Sequence, residues 1–164
     1  MDHVIIRRLE HLTGSAKAPG IGFAVETRDR PGPAYKEGAF EGDVVWVQLH
    51  GGLLVAKARV QIGYVQEYSN VEEVRRRTRG SAIHAIPEFW KGRPRYGFAA
   101  VAALTDEVWL TPPYWGGPRT YGYEWVVLDE PKKRASWLDK KDPPRGEAAD
   151  LTSKFRRWLA TRES

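Results

Sequence analysis

The chain of 164 residues corresponds to about one domain, and its 41% hydrophobic and 29% charged residues exclude disorder of the whole chain. It contains no cysteine, which excludes a disulfide scaffold, a thiolate zinc site and a cysteine nucleophile. Because no apolar run approaches ~18 residues and no signal peptide is recognisable, we expect a cytoplasmic protein without a membrane partner, and the formal net charge of +5 favours anionic partners.

The first half of the chain consists mainly of β-prone segments separated by turn residues. In chain order they predict a short strand or helix over 4–9, a loop over 14–22, a strand over 21–27, and strands over 44–49 and 53–60. Gly51-Gly52 separates the last two strands, so we expect them to pair as a hairpin whose second arm extends over 62–65.

The clearest helix signal of the sequence lies at 71–79. Asn70 is a favourable N-cap, two glutamates occupy the first turn and several arginines the last, and this order complements the helix dipole. The remaining elements are a short helix or ordered loop over 83–90, a strand over 96–104 that continues or restarts over 107–110, a loop over 111–120 and a strand over 123–128.

Several short strands with one internal helix predict a mixed α/β, β-rich fold, namely a small β-barrel with covering helices. We expect a single barrel domain over 1–138, a polar linker over 139–150 and a C-terminal helix over 151–164 packed on the same domain.

The run Glu41-Gly42-Asp43, the strand that follows it, Gly51-Gly52 and the strand 53–60 resemble the core hairpin of the PUA-like superfamily, which includes ASCH, EVE and YTH domains. Segments 89–104 and 124–128 are similar to the second half of these domains. The Gly-x-Lys-x-x-Glu-x-Arg stretch of classical ASCH domains is absent. The resemblance implies a PUA-like barrel with a concave face that binds RNA or a modified DNA base.

A pocket for a nucleobase requires planar apolar side chains, polar groups for the base edge and cations for the flanking phosphates. The chain has seven Trp and seven Tyr, whose flat faces suit stacking. The candidate stacking residues are Trp46, Trp90, Tyr114 and Trp115. Trp46 alternates with two core valines, and Trp115 lies in a predicted exposed loop. For Trp90 and Trp115 the alternative is that the ring fills the core, and Trp46 is expected to face either outward or into the cleft.

The candidate donors to phosphates or base edges are Arg28, Arg30, Arg93, Arg95 and Arg119. The stretch 131–145 holds six basic and two acidic residues and is the strongest candidate for contacts with the nucleic-acid backbone, which would make binding salt-dependent. A solvated linker is the alternative interpretation of this stretch.

We therefore predict a domain that binds RNA or a modified, flipped base through an aromatic cleft rimmed by arginines, with no cofactor and no metal. Phosphate loops, nucleophile elbows and metal-ligand spacings are absent from the sequence. One alternative is a small ASCH-like hydrolase acting on RNA or a modified nucleoside, in which Lys57 works with Glu26 or Glu124. A protein-interaction module is a third interpretation.

Overall fold

The computed structural model describes residues 1–13, 21–118 and 124–163. The strands are β1 (Asp2–Arg7), β2 (Phe23–Arg28), β3 (Val44–Leu49), β4 (Leu53–Tyr68), β5 (Gly97–Trp115) and β6 (Trp125–Leu128). The helices are α1 (Leu9–Thr13), α2 (Pro33–Glu37), α3 (Val71–Arg76), α4 (Pro87–Trp90), α5 (Pro131–Leu138) and α6 (Glu147–Glu163), with a 3-10 turn at Ile83–Ala85. No helix of the described ranges is both long and apolar enough to cross a membrane.

The six strands form one sheet in the order β2-β5-β4-β3-β1-β6. β1 and β3 are parallel and the other neighbours are antiparallel. Although β2 and β6 are the two edges of the sheet, they contact each other, so the sheet curls almost into a barrel. We call the gap between these edges, Phe23–Arg28 and Trp125–Leu128, the seam. The predicted β-rich mixed α/β class with a small barrel and covering helices is confirmed.

The predicted hairpin is formed by β3 and β4, with Val44 opposite Arg59 and Leu49 opposite Leu53. β4 then continues to Tyr68 along β5, and shifts of register between the two long strands accommodate the bend of the sheet. At Gly63 a side chain is excluded, because a Cβ atom would lie 2.0 Å from the carbonyl oxygen of Ala39. The sequence pattern therefore located both arms of the hairpin, but it did not predict that the second arm continues without interruption to Tyr68.

The main core lies inside the curled sheet. Val45 and Val47 of β3 point into it, whereas Trp46 packs on the outer face, as alternation along the strand requires. Phe155 of α6 is completely buried in the main core. Two further clusters cover the outer face, one beneath α3 and α4 and the other beneath α5.

The predicted helix after Asn70 is present as α3. The Asn70 side chain accepts a hydrogen bond of 3.0 Å from the backbone N–H of Glu72. α3 ends at Arg76 rather than at 79, and Thr78 Oγ1 closes the following turn by donating to the carbonyl of Arg75 at 2.7 Å.

The loop predicted over 111–120 is wrong over its first half, because β5 continues to Trp115. Tyr114 and Trp115 pair with Leu54 and Leu53 of β4. Between Trp109 and Tyr114 the ladder is interrupted, so the prolines at 112 and 113 lie where a backbone donor is not needed. This pairing buries Trp115 and corrects its predicted position in an exposed loop.

Candidate functional site

Two cavities that share Arg28 open at the seam. The first, which we call the polar cavity, has a volume of about 350 Å³ and is lined by Glu26, Thr27, Arg28, Asp29, Pro94 and Glu124. The second, which we call the ring cavity, has a volume of about 400 Å³ and is lined by Arg28, Pro33, Pro118, Trp125, Val126, Val127, Lys133 and Trp137. Both volumes lie in the range of about 300–1,000 Å³ that is typical of small-molecule sites.

Glu26 is placed in the polar cavity by the alternation of the edge strand β2. Ala24, two residues earlier, points into the main core, so Glu26 points to the same side at the end of the seam. Glu26 is only 4% exposed, and within the described ranges it forms no hydrogen bond or ion pair. A Cβ atom on Gly32 would lie 2.9 Å from Glu26 Oε1, so the backbone of this loop lies directly against the carboxyl group.

The Glu26 carboxyl group is electrostatically perturbed. Burial raises its pKa to about 7, and the neighbouring Glu124 carboxylate acts in the same direction. The guanidinium groups of Arg28 and Arg93 oppose this rise. A carboxyl group with this pKa exists in both protonation states near neutral pH, so it can donate or accept a hydrogen bond in the cavity.

Arg93 holds Glu124 in place. Its Nη2 and Nη1 atoms donate to Glu124 Oε1 at 2.6 Å and Oε2 at 3.0 Å, and Nη1 also donates to Thr27 Oγ1 at 3.1 Å. Its Nε donates to the carbonyl of Phe89 at 2.6 Å, and its guanidinium lies 4.1 Å from the centre of the Phe89 ring. These contacts make Arg93, which was predicted as a nucleic-acid donor, a positioning residue of the cavity wall.

Arg7 is a buried cation that the sequence pattern did not single out. It donates to the carbonyl of Phe23, and its Nη1 atom has no partner within the described ranges. Burial lowers its pKa to about 10. Its position at the end of a strand is typical of a solvated arginine, so nothing in the local sequence indicates its burial.

Two of the predicted stacking residues are buried and line neither seam cavity. Trp90 is 5% exposed, and its Nε1 donates to the carbonyl of Ile83 at 2.9 Å in the cluster beneath α3 and α4. Trp115 is 8% exposed and packs in the main core. Each of these two rings packs in a buried cluster, and the structure does not bring either of them to the seam cavities.

The other two predicted stacking residues lie on the outer face against α5. Trp46 Nε1 donates to Asp2 Oδ2 at 3.2 Å, and the hydroxyl of Tyr114 donates to the carbonyl of Leu138 at 2.8 Å. Trp46 and Tyr114 line neither seam cavity. The ring cavity is instead walled by Trp125 and Trp137, which are not among the predicted stacking residues.

The remaining predicted arginines differ in their position relative to the two seam cavities. Arg28 lines both cavities. Arg30 and Arg95 are exposed and directly follow the lining residues Asp29 and Pro94 in the chain, so we expect their side chains near the rim of the polar cavity. Arg119 lies outside the described residues.

Lys57, the residue of the enzymatic alternative, lies away from its expected partners. It is exposed on β4, with its ammonium 5.6 Å from the centre of the Trp46 ring on the outer face. Because Lys57 lines neither cavity, the arrangement of Lys57 with Glu26 or Glu124 is not formed.

The basic stretch 131–145 is also more ordered than a solvated linker. Its first half forms α5, whose Trp137 and Leu138 are buried against the outer face. Lys133 of this helix lines the ring cavity, and Arg134 Nε donates to Asp2 Oδ2 at 3.0 Å. One face of α5 therefore packs on the sheet, and Lys133 brings a cation to the seam.

No family model and no curated protein sequence matches this chain. Two solved structures are similar in fold. One is an ASCH protein of Zymomonas mobilis, solved as a point mutant, with 14% identity, a TM-score of 0.45, and coverage of 93% of this chain and 95% of that chain. The other is the N-terminal domain of McrB from Staphylothermus marinus, with 12% identity, a TM-score of 0.43 and 93% coverage of both chains.

Proposed function

We propose that this chain binds nucleic acid, either RNA or a strand with a flipped base, and that one unstacked base enters the seam. The observation that carries this proposal is the pairing of the two cavities. The ring cavity offers indole and proline walls, and the polar cavity, which shares the lining residue Arg28, offers hydrogen-bonding groups. Flipped bases are held by this combination of apolar walls and polar groups at the base edge.

The distribution of charged side chains is consistent with an anionic polymer whose phosphates bind outside the cavities. Arg28 and Lys133 line the ring cavity, and the exposed Arg30 and Arg95 flank the polar cavity. The polar cavity itself contains three carboxylate residues, so a phosphate group is disfavoured inside it. We therefore place the phosphates along the rim and the base in the interior of the seam.

The contribution of the rim is tested by a variant in which Arg30 and Arg95 are both replaced by alanine. Binding of fluorescein-labelled single-stranded 12-mers of RNA and DNA is measured by anisotropy at several salt concentrations. Each lost phosphate contact reduces the salt dependence of the affinity by about one unit of log–log slope. The matched control is Arg76→Ala and Arg79→Ala, two exposed arginines of the α3 region. Equal slopes in both double variants contradict the proposed rim.

The contribution of the ring cavity is tested by Trp137→Phe, which shortens one wall and keeps an apolar ring. A stacked base contributes about 1–3 kcal/mol, so we expect a loss of affinity in a variant whose melting temperature shows that it is folded under the conditions of the binding measurement. Trp158→Phe on α6 is the control, because Trp158 packs against the main core rather than the seam. Equal affinities of the two variants contradict base entry into the ring cavity.

Hydrolysis is a second candidate function, and the perturbed pKa of Glu26 is the observation that favours it. A carboxyl group with a pKa of about 7 in a cavity suits general acid–base catalysis near neutral pH. The test is incubation of RNA and of modified nucleosides with the native protein and with Glu26→Gln. Turnover that is lost in Glu26→Gln while binding persists supports the hydrolase, and intact substrates across the panel contradict it.

A further inference from the structure

Among the described residues that line the polar cavity, the side chains offer more acceptors of hydrogen bonds than donors. Glu26, Asp29 and Glu124 contribute carboxyl groups, and Arg28 is the cation among its lining residues. The acceptor capacity of Glu124 is largely used by Arg93, which binds both of its oxygens. Glu26 is different, because it is 4% exposed and no described residue donates to it.

Within the described ranges no group donates to Glu26, so the hydrogen bonds that its carboxyl group loses on burial are replaced only where the open cavity admits water or a ligand. Glu26 cannot turn freely away from the cavity, because the backbone of Gly32 lies against its Oε1 atom. A ligand that brings N–H groups to Glu26 would recover the lost hydrogen bonds. The geometry thus favours an occupant whose inner edge is rich in donors.

The nucleobases differ in the hydrogen-bond donors that their edges carry. Adenine, cytosine and guanine carry an exocyclic amino group, which donates hydrogen bonds, whereas uracil and thymine carry carbonyl oxygens at the corresponding positions. The single imide N–H of uracil or thymine lies between two carbonyl oxygens, whose lone pairs would face the carboxylate. Glutamate accepting from an amino group is an established form of base recognition.

We infer that the polar cavity selects bases that carry an exocyclic amino group over uracil and thymine, and that Glu26 is the residue that determines this specificity. The inference rests on the proposed entry of a base into the seam. It assigns the phosphates to the rim, the ring to the indole-lined cavity and the amino edge to Glu26.

We expect the preference for amino-bearing bases to depend on pH, because Glu26 accepts hydrogen bonds best when it is ionised and its neighbours influence its ionisation. The charged groups that face it are Glu124 at the start of β6, Arg93 after α4, and Arg28 on its own strand. The ionised carboxylate is a pure acceptor, whereas the protonated form also donates and tolerates a carbonyl oxygen. We therefore expect the preference for amino-bearing bases to increase from pH 6 to pH 8.

The experiment uses eight-residue DNA strands with one central base, either A, C or T, between abasic residues. This design leaves one base for the cavity and removes stacking between neighbouring bases. We expect the A and C strands to bind more tightly than the T strand by about 5- to 100-fold at pH 8. In Glu26→Gln, whose amide both donates and accepts, the preference should shrink and lose its pH dependence. Glu67→Gln, an exposed glutamate of β4, is the matched control.

The outcomes separate the inference from the proposed function. Salt-dependent binding of all three strands with equal affinity overturns the selection by Glu26 and leaves nucleic-acid binding intact. A preference that persists unchanged in Glu26→Gln also overturns it. Failure to bind these strands and natural-sequence RNA and DNA overturns the proposed function itself. A melting temperature measured for each variant establishes that the compared proteins are folded.

Discussion

Arg93 joins the two edges of the curled sheet through Glu124. Its guanidinium donates to both Glu124 oxygens, at 2.6 and 3.0 Å, next to the start of β6, and to Thr27 Oγ1 of β2 at 3.1 Å. The side chains of Arg93 and Glu124 are 13% and 28% exposed, so water only partly screens the pair. Because β2 and β6 share no ladder of hydrogen bonds, this side-chain bridge fixes the width of the seam at the polar cavity.

We predict that Arg93→Ala lowers the free energy of unfolding by about 2–4 kcal/mol, because it leaves Glu124 and the Phe89 carbonyl without their donor. Arg93→Lys should recover only part of this loss, since an ammonium cannot make the two parallel bonds of a guanidinium. Urea denaturation monitored by tryptophan fluorescence measures both variants. If Arg93→Ala unfolds at the native urea concentration, the bridge has no structural role.

The pKa of Glu26 predicts a stability that depends on pH. Burial raises the folded-state pKa to about 7, above the ordinary value of 4.5, so the folded protein retains this proton to a higher pH than the unfolded chain. Stability contributed by the protonated group is therefore complete below about pH 4.5 and decreases as the pH rises towards 7. The full decrease is on the order of 3 kcal/mol.

Glu26→Gln isolates this contribution, because glutamine resembles the protonated carboxyl group and does not titrate. We expect the variant and the native protein to have similar unfolding free energies at pH 4.5, and the variant to be more stable at pH 8. Denaturation at a series of pH values gives the difference directly. A difference that is constant with pH would show that the folded-state pKa of Glu26 is ordinary.

The sequence predicted the fold better than the site, for a physical reason that Trp46 and Trp115 illustrate. Alternation placed Trp46 on the face opposite Val45 and Val47, because the period of a strand follows from its backbone geometry alone. The exposure of Trp115 depends on pairing with Leu53, 62 positions earlier in the chain. No local pattern contains that information.

The seam was not predictable for the same reason. Glu26 and Glu124 come together only because the first and last strands of the sheet order meet when the sheet curls. Trp125 and Trp137 are both buried, yet a buried ring can still line a cavity. Of the site residues predicted from the sequence, Arg28, the last residue of β2, lines both cavities.

Asn70 provides a test of helix α3 that is independent of the site. Its side chain accepts from the Glu72 N–H at 3.0 Å and satisfies one of the free donors at the start of the helix. We expect Asn70→Ala to lower the unfolding free energy by about 1 kcal/mol, and Asn70→Asp to retain most of it. Thermal denaturation distinguishes the two, and equal losses in both variants would contradict the capping role.

His3 is predicted to be neutral with its proton on Nε2. Trp125 Nε1 donates to His3 Nδ1 at 3.1 Å, so Nδ1 must carry a lone pair, and Nε2 donates to Asp43 Oδ2 at 2.9 Å. Burial lowers the pKa of His3 below its usual value despite the neighbouring Asp43 carboxylate. Nitrogen-15 NMR of the imidazole should show this tautomer at pH 6.5, and a proton on Nδ1 would contradict the hydrogen bond from Trp125.

The attachment of α6 to the barrel depends on Phe155. This side chain is 0% exposed in the main core, where it contacts Trp109 and Trp158 at ring-centre distances of 6.0 and 5.8 Å. Phe155→Ala removes these contacts and leaves a cavity, so we expect a loss of about 3–5 kcal/mol in the free energy of unfolding.

The matched control for Phe155 is its neighbour Arg156, which is exposed on the same helix. Arg156→Ala should change the unfolding free energy by less than about 0.5 kcal/mol, because alanine is a better helix former and no buried contact is lost. Urea denaturation measures both variants. If Phe155→Ala is as stable as Arg156→Ala, α6 does not contribute to the core, whereas a large and selective loss establishes that the barrel interior is completed by the C-terminal helix.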